Sequence, residues 1–215
     1  MTRSIIASLL LGTATLCFAG VAGAHSVLSV NEGQAGHMFP MALNINHGCK
    51  TEPVTEVRLK IPEAIFETKA SQKAGWTVEY KMRKLDKPVA QHGRQLTEVI
   101  DEIVWKNPVQ PLPPDGWGSF EFRVKLPETA GQILYFKNIS VCPNGTDAYM
   151  DVPKVPLDIK DPAFVEKAAA FMRATPGPAP MFIVRPAVGG QYPWEWTAAQ
   201  VRGNAQVQQA ISKGH

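Results

Sequence analysis

His25 is the residue whose place in the sequence implies the most specific chemistry. It follows the small-residue triplet at 22–24, which in turn follows Arg3 and an apolar run. A charged start, an apolar stretch and an A-x-A cleavage site are the three parts of a secretory signal peptide. We therefore predict that residues 1–24 are a signal peptide and that His25 becomes the first residue of an exported, periplasmic chain with no stable membrane insertion after cleavage.

An N-terminal histidine can hold one metal ion through two nitrogens, the α-amine and the imidazole Nδ1, which together close a chelate ring. Cu(II) prefers tetragonal nitrogen and oxygen donors and has the highest affinity of the divalent first-row metals. The α-amine has a reference pKa of about 8, so deprotonation costs little near neutral pH. His25 therefore predicts a Cu(II) site in the cleaved chain.

The segment NHGCKTE offers two further donors, since His47 lies two residues before Cys49 and Glu52 lies three residues after it. An imidazole and a carboxylate both suit a copper site, and a loop fixed in place would hold them ready before the ion arrives. The alternative interpretation is that His47 and Glu52 are solvated loop residues.

The cysteines bear on how that loop is held. Cys17 leaves with the signal peptide, so the mature chain keeps Cys49 and Cys142. In an exported protein, two remaining cysteines most simply form one disulfide. A thiolate metal pair is the competing interpretation, but the sequence contains no C-x-x-C.

Other candidate residues have a simpler interpretation. A methionine-rich Cu(I) site would use His37, Met38 and Met41, but their spacing equally fits a strand, and we interpret them as packing residues. We expect the tryptophans at 76, 105 and 117 to be core or loop anchors. His92 is predicted to lie in a hairpin turn, and His215 at the chain end.

Composition excludes several classes of function. The net charge of +3 over 215 residues gives no basic cluster for a nucleic acid or a membrane surface. No catalytic triad, pair of acid and base carboxylates, P-loop or dinucleotide glycine motif can be found. These observations favour a binding protein over an enzyme.

Short alternating or apolar runs separated by turn residues extend from residue 25 to about residue 157 and predict an all-β sandwich or barrel. The proline-rich stretch KNPVQPLPPDGWG predicts a long loop. After residue 160, DPAFVEKAAAFMRATPGP predicts one short helix with an aspartate cap. We therefore divide the mature chain into a sandwich at 25–160 and an extension at 161–215, with a Pro/Gly-rich tail, and expect the sandwich to fold without the extension.

The run AHSVLSVNEGQAGHMFPMALNINHGCKTEPVTEVRLKIPEAI resembles the opening of the YcnI-like domain, a family of exported bacterial domains. Further similarity lies in GWTVEY, the strand with Trp105, FEFRVKLPETAG, ILYF, and Cys142 with Asn144 and Gly145. The resemblance covers residues 25 to 157.

This resemblance implies an immunoglobulin- or cupredoxin-like β-sandwich that binds Cu(II) through a single-histidine brace, with a carboxylate and a neighbouring tryptophan. The brace carries over as His25. Either Glu52 or His47 takes the place of the carboxylate, because the HGC loop stands where other members have a Glu. Tyr149, in GTDAY, takes the place of the tryptophan.

The expected function is a periplasmic copper carrier or metallochaperone, not an enzyme, that holds Cu(II) and passes it to another periplasmic copper protein. Two alternatives stay open. One is a copper-dependent oxidative enzyme of the histidine-brace type, with His47 as its second imidazole. The other is a structural or adhesive β-sandwich in which His25 binds no metal.

Overall fold

Strands dominate the computed structural model, which describes residues 25–91 and 93–187. Within these residues the elements in chain order are β1 (Val27–Leu28), β2 (Glu32–Gln34), β3 (Met38–Ile45), β4 (Glu56–Lys60), β5 (Thr68–Ala70), β6 (Thr77–Gln91), β7 (Arg94–Lys106), β8 (Gly118–Lys125), β9 (Ile133–Tyr135), β10 (Asn138–Cys142), β11 (Gly145–Tyr149), α1 (Phe164–Ala174) and β12 (Met181–Arg185). The predicted signal peptide, Cys17, His92 and His215 lie outside the described residues.

The strands form three sheets, with orders β1-β3-β8-β5, β11-β10-β4-β7-β6 and β2-β12-β9. Alternation explains which face of each strand is buried: in β8, Phe120, Phe122 and Val124 point inward while the residues between them are at least partly exposed. Each pairing between two of these strands is antiparallel except that of β12 with β2. The predicted all-β sandwich is confirmed, as is the long loop between β7 and β8.

Aromatic rings join the sheets in one hydrophobic core. Trp105 of β7 is fully buried, and its ring centroid lies 5.5 Å from that of Phe120. Trp76 packs edge-on against the same phenylalanine at 4.9 Å. Met41 also belongs to the core, as expected.

Trp117 corrects the expectation that all three tryptophans are anchors, since it is 68% exposed. It directly precedes β8, in which Gly118 and Phe120 are buried. Because side chains alternate along a strand, the residue before Gly118 falls on the solvent side.

The predicted helix is present as α1, but its start differs from the prediction. Ala163 is the N-cap residue and makes no side-chain capping bond. The Asp161 carboxylate instead accepts the Ala163 N–H at 2.8 Å and pairs with Lys167 Nζ at 2.5 Å. No helix among residues 25–91 and 93–187 is long and apolar enough to cross a membrane.

Strand β12 comes from the part of the chain predicted to be a separate extension. It is the central strand of its sheet, parallel to β2 and antiparallel to β9. Phe182 and Val184 are fully buried in the common core, and the Phe182 ring lies 5.5 Å from that of Phe39. Strand β12 is therefore part of the sandwich, although it lies after residue 160, where the sandwich was expected to end. The PWEW segment lies outside the described residues.

The predicted disulfide joins Cys49, in the loop after β3, to Cys142, the last residue of β10. The two cysteines are 93 residues apart in sequence and their Cα atoms are 6.1 Å apart. Because β3 and β10 belong to different sheets, the bond fastens one end of the sandwich.

A chain ending after residue 161 should lose its cooperative thermal transition, because it lacks β12, whereas a chain ending after residue 187 should keep it. Within the full chain, Phe182→Ala should cost about 3–5 kcal/mol of unfolding free energy through the cavity it leaves. Exposed Val165 on α1 is a control, since Val165→Ala should change stability by less than about 0.5 kcal/mol. Denaturation followed by circular dichroism measures both; cooperative unfolding of the shorter chain would contradict the assignment of β12 to the core.

Replacing both Cys49 and Cys142 with alanine should destabilise the cleaved protein by about 2–5 kcal/mol, because the bond closes a long loop and restricts the unfolded chain. Urea titration of the variant against the parent protein measures the loss. Thiol labelling of the cleaved, denatured parent without reductant should find no reactive cysteine, and two labelled thiols per chain would refute the pairing.

Candidate metal centre

His25 lies at the edge of the four-stranded sheet, where β1 pairs with β3. Val27 is opposite Asn44 in this pair, and continuing the register by two residues places His25 opposite Asn46. The Asn46 side-chain Nδ2 donates to the main-chain oxygen of His25 at 2.8 Å. Strand pairing and this hydrogen bond therefore hold the backbone of the candidate N-terminal residue in place.

Tyr149 packs against the His25 ring. The two ring centroids are 6.2 Å apart, and the rings are nearly perpendicular, at 83°. Tyr149 ends β11 and is only 8% exposed. Burial, with a smaller effect from the nearby Asp147 charge, raises the pKa of the Tyr149 phenol above its ordinary value, so the ring is neutral at physiological pH. Tyr149, which stands where the resemblance implies a tryptophan, is thus a ring that lies next to His25.

His47 follows Asn46 directly and faces the neighbouring hairpin. Its Nδ1 lies 2.6 Å from the main-chain oxygen of Gly48 and 3.8 Å from Oδ2 of Asp147. The His47 and Asp147 side chains are 34% and 35% exposed, so both are accessible to an ion from solvent. The loop after β3 and the β10–β11 hairpin therefore approach each other at His47 and Asp147.

Glu52 has a different set of contacts. Its carboxylate accepts the main-chain N–H of Asn144 at 2.9 Å and the side-chain Nδ2 of the same residue at 2.5 Å. These hydrogen bonds hold the pKa of Glu52 below its ordinary value, because they favour the charged form. Glu52 thereby links the loop after β3 to the turn between β10 and β11.

The loop that carries His47 and Glu52 is fixed by its main chain as well as by the disulfide. Gly48 N–H donates to the carbonyl oxygen of Pro114 at 3.0 Å, and Glu52 N–H donates to that of Cys49 at 3.1 Å. Lys50 has a positive φ of 60°, a conformation that costs a residue with a side chain about 1 kcal/mol or more. The loop is therefore anchored by the disulfide and by these two hydrogen bonds, and it includes one residue in a strained backbone conformation.

The structure pairs the predicted residues with partners instead of gathering them in one cluster. Among residues 25–91 and 93–187, no group of three or more His, Cys, Asp or Glu side chains is arranged to hold a metal ion. His25 contacts Tyr149, His47 lies beside Asp147, and Glu52 binds Asn144. A terminal chelate needs fewer side chains, because His25 supplies two of its donors.

The candidate donors, which belong to His25, His47 and Glu52, fit Cu(II) by their chemistry, since this ion binds imidazole, amine and carboxylate groups. In the uncleaved chain the His25 nitrogen is part of a peptide bond, so it becomes an amine only when residues 1–24 are removed. Each Glu52 oxygen also keeps a second lone pair beyond the hydrogen bond that it accepts.

Sequence reasoning missed Asp147. It lies two residues before Tyr149 on β11, so the two side chains share one face of the strand. That spacing was visible in GTDAY, but the closeness of Asp147 to His47 depends on the pairing of distant segments.

Comparison with solved structures supports the fold. A crystal structure of an uncharacterized protein from Nocardia farcinica, reported to reveal an immunoglobulin-like fold, aligns with a TM-score of 0.52 at 14% identity, over 75% of this chain and 98% of that one. A cohesin module from a Clostridium perfringens ATCC13124 family 33 glycoside hydrolase aligns with a TM-score of 0.37 at 15% identity, over 57% of this chain and 86% of that one. The first similarity shows an immunoglobulin-like fold.

No curated protein matches the chain significantly. A family model does match: the one described as "Domain of unknown function (DUF1775)" covers residues 25–167, which is more than half of the chain and begins at His25. The chain therefore belongs to this family, the domain of unknown function DUF1775.

Proposed function

We propose that this chain is an exported Cu(II)-binding protein that uses the α-amine and imidazole of its mature N-terminal residue, His25, as a brace. It would act in the periplasm as a copper carrier or metallochaperone and pass the ion to a second copper protein. The resemblance to YcnI-like domains supports this function.

The observation that carries the proposal is the position of His25 against Tyr149. A terminal residue needs no fixed place in a sandwich, yet here its main-chain oxygen is hydrogen-bonded to Asn46 and its ring packs against a buried aromatic side chain. A donor held before the ion arrives gives up less conformational entropy on binding. This corner is thus organised around the residue that cleavage would expose.

Copper bound here would give the protein a redox-active ion, and the chain's own part is to hold it. His25 supplies two nitrogens, and His47 or Glu52 supplies a third donor. Burial of Tyr149 keeps water from one side of the His25 ring. These roles are those of a carrier, which needs to hold an ion and release it.

The disulfide supports an oxidising compartment for the mature protein. Bonds of this kind persist in the periplasm and outside the cell and are rare in the cytosol. The Cys49–Cys142 bond also joins the loop that carries His47 to the hairpin that carries Tyr149.

His25→Ala should weaken Cu(II) binding by about 100-fold or more in the cleaved protein, because losing a ring nitrogen costs several kcal/mol and each 1.4 kcal/mol is about tenfold. Adding one residue before His25 should have a similar effect by another route, since the ring stays but the amine becomes an amide. Competition with a chelator of known affinity measures both, and His37→Ala is a matched control because His37 belongs to another loop.

Equal Cu(II) affinity in the extended and the cleaved proteins would refute the brace. Electron paramagnetic resonance of the one-to-one complex gives an independent count of nitrogen donors, which should fall in both variants. A stoichiometric complex without oxidase turnover separates a carrier from an oxidative enzyme of the same brace type.

A further inference from the structure

We propose that Asn144 and Gly145 form a site of spontaneous deamidation and that the carboxylate of Glu52 slows this reaction in the folded protein. The sequence contains one Asn-Gly pair, at residues 144–145. It lies where β10 joins β11, and both residues are exposed to water, which is the second reactant. The proposal concerns a covalent change of the chain itself and does not depend on copper binding.

Deamidation needs no enzyme and no redox partner. The main-chain nitrogen of Gly145 attacks Cγ of Asn144, and the new N–Cγ bond forms as the Cγ–Nδ2 bond breaks. The attacking nitrogen loses its proton, the departing group gains one, and ammonia leaves a cyclic imide behind. Water then adds to one of the imide carbonyl groups and opens the ring, which gives an aspartate or an isoaspartate at position 144.

The glycine makes the attack sterically accessible. A residue without a Cβ lets another group approach its main chain closely. The surroundings of Gly145 are open as well, since a Cβ placed there would meet no atom within 4 Å. Gly145 is opposite Cys142 in the β10–β11 ladder, so Pro143 and Asn144 alone form the turn. Exposed turns are among the first parts of a fold to open, and a local opening here frees the Gly145 nitrogen to react.

Glu52 holds the Asn144 side chain in place. Its carboxylate accepts the main-chain N–H of Asn144 at 2.9 Å and the side-chain Nδ2 at 2.5 Å. Nδ2 belongs to the group that leaves as ammonia, and Cγ has to turn toward the Gly145 nitrogen before it can be attacked. Because two hydrogen bonds to one carboxylate fix the side chain against its own main chain, the reaction starts with the loss of an interaction with a charged group.

The charge on Glu52 acts in the same direction. Loss of a proton from the Gly145 nitrogen puts negative charge on the turn, and a carboxylate bonded to the neighbouring residue disfavours that charge. The disulfide keeps the carboxylate there. Cys142 lies two residues before the amide, and Cys49 lies three residues before the carboxylate. The covalent link thus limits how far the loop after β3 can move from the turn.

The product of the reaction would weaken the same link. An aspartate at position 144 has no Nδ2 to donate and places a second carboxylate against Glu52, so attraction becomes repulsion. An isoaspartate also adds one methylene group to the main chain, which misaligns the pairing of Cys142 with Gly145. Either product removes a hydrogen bond that fastens the loop after β3 to the β10–β11 turn.

Ageing of the protein at neutral pH, followed by mass spectrometry of its peptides, measures the reaction at each asparagine. Asn144 should react about tenfold or more faster in Glu52→Ala than in the parent protein, since tenfold is what one hydrogen bond to a charged group is worth. Glu121→Ala, an exposed change on β8, is the matched control and should leave the rate unchanged. Gly145→Ala should slow the reaction, and the open space at Gly145 allows that change.

Circular dichroism checks that each variant is folded, because an unfolded chain also reacts faster. If Glu52→Ala does not fold, Glu52→Gln decides instead: it keeps one acceptor oxygen, loses the charge and should give a smaller acceleration. A folded Glu52 variant that reacts as slowly as the parent protein, or more slowly, overturns the protective role. Denatured parent protein in which Asn144 reacts no faster than Asn31, an exposed asparagine followed by glutamate, overturns the reactive site.

The consequence of the reaction is tested without ageing. Asn144→Asp, which carries the charge of the product, should lower the melting temperature. Adding Glu52→Gln to it should recover part of the loss, because the glutamine amide can donate to the new carboxylate. Asn31→Asp, the same change at an exposed position outside this turn, is the control and should keep the melting temperature of the parent protein. If Asn144→Asp is as stable as the parent protein, the inferred effect of deamidation on the loop is wrong.

Discussion

The bond between Cys49 and Cys142 is the constraint on which the candidate site depends. It ties the loop after β3 to the end of β10. His47 and Glu52 lie on either side of Cys49 in that loop, and the turn that leads to Tyr149 follows Cys142. Loops at the end of a sandwich are the part of the fold that packing restrains least. A covalent link there, together with the hydrogen bonds that Glu52 accepts from Asn144, fixes the loop that carries these side chains relative to the sheets.

The site also depends on the register of β1 on β3. A shift of one residue would turn the side chains of β1 to the opposite face and would move His25 away from Asn46 and Tyr149. Ser26 and Leu43 are almost fully buried on the inner side of this edge, so such a shift would expose apolar surface on β3 or bury polar groups. The packing of the core therefore holds His25 in position, although His25 is itself only partly buried.

Sequence patterns predicted most of the long strands, because β4 and β8 alternate over five residues or more, and β3 and β7 contain apolar runs. They missed β2 and β5, which have three residues each, and β12, which lies between prolines. The disulfide was predicted from the cysteine count together with the expected removal of Cys17 and an expected oxidising compartment. The family resemblance gave Tyr149 as a candidate near the copper site, whereas the position of Asp147 beside His47 arises from strand pairing that no local pattern encodes. Extending the alternation of buried and exposed side chains in β8 back by one residue would have predicted that Trp117 is exposed.

The parallel pairing of β12 with β2 joins the two ends of the part of the chain that the structure describes, with Ile183 opposite Glu32. Contacts between such distant residues form slowly, because the loop between them must close before the pairing stabilises it. For a chain that crosses a membrane unfolded and N-terminus first, the sheet containing β2 is complete only after β12 has emerged. For a chain exported in this way, β2 and β12 pair last, after Asn46 and Tyr149, the residues that contact His25, have already emerged.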